Sequence, residues 1–294
     1  MKFTFPKQLK IILIVGGIVV TFGAVTAAVW FVSNHNVAVL NPQGTIADQQ
    51  RQLLVTAVLL MAIVVLPVLA LTFGIAWRYR EGNKKAKYSP ELSGNKWAEA
   101  AWWLVPFAII SVLAGIVIVS SHKLDPFKKL ESSKPPLNVQ VISLEWKWLF
   151  LYPDQHVASV NYLPIPTDRP VNFQLTSDAP MNSFWIPQLG GQVYTMSGMS
   201  TQLHLMASNP GDYRGSSANI SGEGFAGMTF KAHATSQAEF DKWVSDTQKS
   251  SKVMTLDTYN DLVKQSKNVP PTSYAFPAAY DKLYDTVIMK YMSH

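Results

Sequence analysis

Two apolar runs of 25 residues each, Leu53 to Trp77 and Trp97 to Ser121, constrain this chain more than anything else in its 294 residues. At 1.5 Å per residue each predicts a helix of about 38 Å, enough to cross a hydrocarbon core of about 30 Å with some tilt. Pro67 and Pro106 fall inside the runs, where membrane helices tolerate proline better than soluble ones do. Between the runs lie Arg78, Arg80, Lys84, Lys85, Lys87 and Lys96. This cationic loop belongs on the cytoplasmic side of a membrane, so Asp48 to Gln52 and everything after His122 belong outside. Trp77, Tyr79, Trp97, Trp102 and Trp103 sit where an interfacial aromatic belt falls. Clustering in that loop also accounts for much of the net charge of +6. No motif that reads RNA or DNA accompanies it, and nucleic acid is not an expected partner.

A third apolar stretch, Ile11 to Val32, follows Lys2, Lys7 and Lys10. Residues 1–34 read equally well as a signal peptide, with Thr26-Ala27-Ala28 as a weak cleavage site, or as an uncleaved signal-anchor helix. Residues 35–122 then hold the hairpin of two membrane helices.

From Asn138 the pattern changes. Ile142, Leu144, Trp146, Trp148 and Phe150 alternate with Ser143, Glu145 and Lys147, which predicts one strand with an apolar face. Val171-Phe173-Leu175, Leu203-Leu205 and Met228-Phe230-Ala232 predict further strands. Pro164-Ile165-Pro166, Gly190-Gly191 and Asn209-Pro210-Gly211-Asp212 read as turns between them. Short strands at this spacing suggest a β-sandwich or small barrel of about 100 residues, assigned here to 137–235. The remainder, 236–294, is expected to be helical. Ser236 to Glu239 forms a capping box ahead of Phe240, Trp243 and Val244, and Thr255 is a second cap, ahead of Tyr259, Leu262 and Val263. Beyond Pro270 to Pro277, residues Tyr280, Leu283, Tyr284, Val287, Ile288 and Tyr291 make one helical stripe. Such a stripe packs on the chain's own core or on a partner subunit.

The chain contains no cysteine. That rules out disulfides, thiolate metal sites and a lipid-modified N-terminal cysteine.

Several motifs occur in an order that resembles heme-copper oxidase subunit II. They are Trp77-Arg78-Tyr79-Arg80, the run Glu99 to Pro106, Glu145-Trp146-Lys147-Trp148, the run Thr176 to Pro187 and the run Gly211 to Gly222. The resemblance extends from about Asn41 to Trp243. It implies a membrane α+β protein, in which transmembrane helices precede a cupredoxin-like β-barrel on the outer side and C-terminal helices follow.

Copper-bearing members of that family hold two copper ions through two cysteines, two histidines, a methionine and a backbone carbonyl. By resemblance the first histidine falls on Asn182, the cysteines on Ser217 and Ser221, the carbonyl donor on Asn219, the second histidine on Phe225 and the methionine on Met228. Serine hydroxyls are not ionised at neutral pH and do not replace bridging thiolates. Asn182, Ser217, Asn219 and Ser221 then read as ordinary polar loop residues. His204 and His233 fall outside both loops. The pattern matches the quinol-oxidase branch, of the cytochrome bo type.

That resemblance implies a ubiquinol-oxidising, oxygen-reducing and proton-pumping complex in a bacterial inner membrane. This subunit would carry no cofactor, and heme and copper would reside in subunit I. Its partners would be subunit I, smaller membrane subunits and membrane lipid, with ubiquinol as substrate of the complex. No catalytic residue is expected here. Glu99 is a candidate for the proton-pathway entry, against the plainer reading of an acid favoured by a helix N-terminus. Glu145 and Lys147 are candidates for meeting subunit I, and Arg78 and Arg80 for lipid headgroups. Met181, Met196, Met199, Met206 and Met228 read as packing residues rather than a copper-trafficking surface. Two rival functions are a copper-bearing cytochrome c oxidase subunit II and a membrane-anchored periplasmic binding module.

Overall fold

A computed structural model describes residues 22, 23, 26, 27, 30, 31, 34, 37–83, 86 and 94–292. The chain divides into two units, Met1–Asn41 and Pro42–His294. Most of the stretch read as a signal or a third helix lies outside the described residues, as do Lys84, Lys85 and Lys87 of the cationic loop.

Within the second unit, helix α1 spans Thr45–Arg78 and helix α2 spans Lys96–Lys123. Both are long and apolar enough to cross a membrane, and of their residues only Ala47 is buried, as expected of lipid-facing or subunit-facing helices. Pro67 and Pro106 are accommodated inside them. Helix α1 begins eight residues before the apolar run because its first turn is fastened to the β domain. The Ala47 amide donates to the Leu189 carbonyl at 3.1 Å, and Gly44 bridges Ala207. A Cβ on Gly44 would stand 2.7 Å from the Met206 carbonyl oxygen, so only glycine permits that approach.

The outer domain consists of two packed sheets. The first contains β1 (Leu137–Leu144), β2 (Lys147–Tyr152), β3 (Val157–Val160), β5 (Val171–Ser177), β8 (Thr201–Leu205) and β11 (Thr272–Ala275), in the order β11-β3-β2-β1-β5-β8. The second contains β4 (Tyr162–Pro166), β6 (Asn182–Trp185), β7 (Val193–Thr195), β9 (Gly211–Ser217) and β10 (Thr229–Thr235), in the order β4-β10-β9-β6-β7. The pairs β1–β5 and β4–β10 are parallel and the others antiparallel. An aromatic cluster fills the space between the sheets. Phe184 and Phe230 stack at 5.1 Å, and Trp148 meets both edge-on at 5.4 and 5.7 Å.

The expected α+β architecture is the one observed, with three corrections. The single strand expected through Phe150 is a hairpin whose two-residue turn is Glu145-Trp146, with Leu144 opposite Lys147. A two-residue turn shifts the alternation by one. Trp148 and Phe150 therefore face the inter-sheet core, while Ile142, Leu144, Leu149 and Leu151 face the other side. Second, Pro164-Ile165-Pro166 is not a turn but part of β4, an edge strand, where a missing amide costs no ladder bond. Third, the C-terminal region is not wholly helical, because β11 comes from it and pairs with β3.

The remainder of that region comprises α3 (Gln237–Gln248), α4 (Leu256–Val263) and α5 (Leu283–Met289). The capping box at Ser236 and the Thr255 cap both form. A second apolar cluster joins the outward face of β1–β2–β3 to Met254, Tyr259, Phe276, Leu283, Tyr284 and Val287. The stripe thus packs on the chain's own core, and the first sheet is buried on both faces where β1, β2 and β3 lie beneath it.

Lys147 does not point to a partner. Its side chain is fully buried, and its ammonium donates to the carbonyls of Leu262 and Lys264, both at 2.7 Å. The charge meets the negative end of α4 and satisfies carbonyls that the helix leaves open. Burial pulls the pKa of this lysine below its ordinary value, and Glu145 partly offsets that. Replacing Lys147 with methionine keeps most of the stem volume but strands both carbonyls. The expected cost is about 1–3 kcal/mol, read as a lower unfolding midpoint with faster amide exchange at 256–264.

Candidate functional site

Two loops meet at one end of the sandwich, one joining β5 to β6 and the other joining β9 to β10. Asn182 begins β6 and Ser217 ends β9. The Ser217 hydroxyl donates to Asn182 Oδ1 at 2.9 Å, with the Asn219 carbonyl 3.2 Å away. The same oxygen accepts from the amides of Ser183 and Asn219, each at 3.4 Å. Asn219 Nδ2 donates across to the Met181 carbonyl at 2.9 Å. Met228 is fully buried below, and its carbonyl accepts from the Ser217 amide at 3.1 Å.

Sequence reasoning thus placed Asn182, Ser217, Asn219 and Met228 in one neighbourhood, and the fold brings them together. Ser221 and Phe225 lie further along the second loop. Trp146 positions that stretch: its indole donates to the Ser221 carbonyl at 3.1 Å, and its ring lies so close over Gly224 that a Cβ there would be 2.1 Å from Cδ2. The Ser221 hydroxyl is buried without a hydrogen-bond partner among the described residues, and Phe225 is half-buried in a short 3-10 turn. The donors gathered here are hydroxyl and amide oxygens and one thioether. Among the described residues no group of three or more His, Cys, Asp or Glu side chains could hold a metal ion.

Beside the first loop is a cluster that sequence reasoning missed. Asp178 is nearly inaccessible, its side chain 1% exposed, and accepts three hydrogen bonds. Tyr259 donates to Oδ2 at 2.6 Å, while Lys290 and Tyr291 donate to Oδ1 at 2.7 and 2.6 Å. Burial first, then Asp178, raises the pKa of both phenols, and the hydrogen bond to Asp178 raises that of Lys290. All three groups remain donors at neutral pH. Tyr284 adds a 2.9 Å hydrogen bond to Ser200. The C-terminal segment is thereby fastened next to the paired loops.

At the other end of the molecule, Glu99 lies in the first turn of α2. The Asn95 side chain caps that turn, accepting from Trp97 and Ala98 at 3.0 and 3.3 Å. Glu99 is exposed and makes no ion pair among the described residues. Arg80 lies 4.7 Å over the Trp77 ring.

The family model described as the COX Aromatic Rich Motif matches residues 248–294. Cytochrome bo(3) ubiquinol oxidase subunit 2 of Pseudomonas aeruginosa is 47% identical over 259 residues, covering 88% of this chain and 78% of the relative. Ubiquinol oxidase subunit 2 of Acetobacter aceti is 44% identical, covering 86% and 82%. The chain belongs to the ubiquinol oxidase subunit 2 family.

It is therefore a subunit of a multi-subunit ubiquinol oxidase. Among solved structures, the periplasmic domain of cytochrome oxidase subunit II from Bradyrhizobium japonicum aligns at a TM-score of 0.38 and 20% identity, over 42% of this chain and 98% of that one. The sheet order and register, rather than that superposition, define the fold here. In this ubiquinol oxidase subunit the aromatic-rich motif supplies β11, α4, α5 and the Tyr259, Lys290 and Tyr291 donors to Asp178.

Proposed function

We propose that this chain is the copper-free, membrane-anchored subunit II of a proton-pumping ubiquinol oxidase in a bacterial inner membrane. The observation that carries the reading is the donor set at Asn182, Ser217, Asn219, Ser221, Phe225 and Met228. No thiolate or imidazole stands at any of the six, and the Ser217 hydroxyl is already committed to neighbouring amides and carbonyls. A thiolate-bridged pair of copper ions does not fit these residues. Without a metal relay in the outer domain, electrons from a donor dissolved in the membrane would enter directly at subunit I, which would hold the heme and copper. The names of the relatives, ubiquinol and quinol oxidase subunits, support the same donor.

In this reading residues 35–122 anchor the chain, with Arg78, Arg80 and Lys96 on the cytoplasmic side. Residues 137–235 form the outer barrel and 236–294 its covering extension. Subunit I and smaller membrane subunits take up the exposed faces of α1 and α2, and lipid the rest. Glu99 gathers protons at the cytoplasmic edge and passes them toward subunit I.

Purified complex is expected to consume oxygen with ubiquinol as donor and to contain no copper assignable to this chain. Two copper ions per outer domain, with oxygen uptake driven by reduced cytochrome c, would make it a cytochrome c oxidase subunit instead. Extraction in detergent without any heme-bearing partner would make it a stand-alone binding module.

A further inference from the structure

A groove of about 570 Å³ lies on the outer face of β9 and β10, on the side of that sheet away from the aromatic core. Strand alternation puts Asp212, Arg214, Thr229 and Lys231 on this face, because Tyr213, Phe230 and Ala232 are buried between the sheets. The far wall is Asn268 to Pro271, the segment leading into β11. Asn161 fixes that wall from a left-handed backbone conformation, φ 52°. Its Oδ1 accepts from the Trp148 amide at 2.9 Å, and its Nδ2 donates to the Val269 carbonyl at 2.8 Å.

The charges on the floor are unevenly matched. Register sets Arg214 directly opposite Lys231, and like charges so placed are unfavourable. Asp212 answers only one of them. Its Oδ2 accepts from Lys231 Nζ at 2.9 Å, and its Oδ1 accepts from His233 Nδ1 at 2.6 Å. The Lys231 bond holds the Asp212 carboxyl below the usual carboxylate value, so it stays ionised and only accepts. Arg214 makes no ion pair among the described residues. The Thr229 hydroxyl and the Asn268 side-chain amide likewise have no hydrogen bond among the described residues, and both line the groove with Arg214. An unpaired guanidinium and two further donors therefore share a cavity whose one carboxylate is already engaged on both oxygens.

We propose that this groove docks an acidic segment of a partner polypeptide, in which one carboxylate pairs with Arg214 and an adjacent apolar side chain covers Val269, Pro270 and Pro271. A planar guanidinium matches a carboxylate through two parallel N–H bonds, and Thr229 and Asn268 add donors beside it. The apolar wall favours a peptide over a free inorganic anion, which would leave that wall uncovered. The groove lies wholly in the β domain and its C-terminal extension, so its ligand is independent of the electron donor that the complex uses.

Pro271→p-benzoylphenylalanine places a photoreactive ketone on the exposed wall, and the same label at Pro270 guards against a local misfold. Intact cells carrying either variant are irradiated, the oxidase complex is purified, and cross-linked peptides are identified by mass spectrometry. One segment is expected, with an aspartate or glutamate beside the cross-linked residue. Arg214→Glu in the same background should cut the yield at least about tenfold, the worth of a hydrogen bond between charged groups. Replacing the partner's acid with arginine should then restore it, which also shows that the Arg214→Glu chain folds. Lys242→Glu makes the same charge change on the exposed face of α3, outside the groove, and should leave the yield unaltered. No peptide product from either label, a segment without an acid, a yield unchanged in Arg214→Glu, no restoration by the charge swap or an equal loss in Lys242→Glu would each overturn the site.

Discussion

Replacing Asp178 with alanine is expected to cost the outer domain about 3 kcal/mol, near the low end for breaking a buried charged pair, and to release the C-terminal segment. The carboxylate accepts from the side chains of residues 259, 290 and 291, and it is almost fully enclosed. Removing it leaves the Tyr259 hydroxyl without a partner inside the second apolar cluster. Lys290 is half-exposed and can turn to water, which keeps the loss at the lower end. Asp178→Asn keeps an acceptor oxygen and should recover part of the stability. The measurements are the thermal unfolding midpoint and the rate of proteolysis between 264 and 292. A midpoint within the error of the parent protein and unchanged proteolysis would show that α5 is held by its apolar contacts alone. The same clasp has a pH signature. The pKa of Lys290 is raised above 10.5 by the hydrogen bond to Asp178, so its contribution is complete below that value and is lost as the pH climbs through the higher folded value.

The sequence is legible where one physical constraint acts alone. A lipid-crossing helix needs little beyond length and apolarity, and α1 and α2 stand where the two runs stand. The first turns of α1 are the exception, because Gly44 and Ala47 answer to the β domain rather than to lipid. The β1–β2 hairpin was hidden because Trp146 takes a left-handed backbone conformation, φ 58°, that a bulky residue rarely adopts. An alternating pattern runs straight through such a turn. Burial of the β1–β2 hairpin on both faces also erases the contrast between faces on which alternation depends. At the paired loops, Asn182, Ser217 and Asn219 are legible from their order in two motifs, whereas their hydrogen bonds depend on β6 lying beside β9. The Asp178 clasp joins residues more than 80 positions apart, and no local pattern encodes it. A buried-seeming acid ahead of a loop and a tyrosine-rich C-terminal helix were the signals that could have been matched.

Glu99→Gln is expected to slow quinol-driven oxygen uptake by the assembled oxidase by about tenfold, less than the hundredfold or more of a group that moves a proton in the transition state itself. The smaller factor follows from position. Glu99 is exposed at the first turn of α2, which the proposed topology puts on the cytoplasmic edge, so water and neighbouring groups can also feed the path at a lower rate. Asn95 already caps the helix through its side chain, and helix integrity does not depend on Glu99. Loss of a favourable helix-terminus charge would cost only about 0.3–1 kcal/mol of stability and leave turnover alone. The two roles therefore separate cleanly. Under the proton role, Glu99→Gln lowers turnover with unchanged heme spectra and unchanged affinity for quinol, the deficit grows as the pH rises and free protons become scarce, and Glu99→Asp restores most of the rate. Under the helix-terminus role, Gln and Asp variants turn over at the parent rate across the whole pH range and differ only in melting temperature. The second outcome would remove proton chemistry from this chain and leave its contribution to the complex entirely architectural.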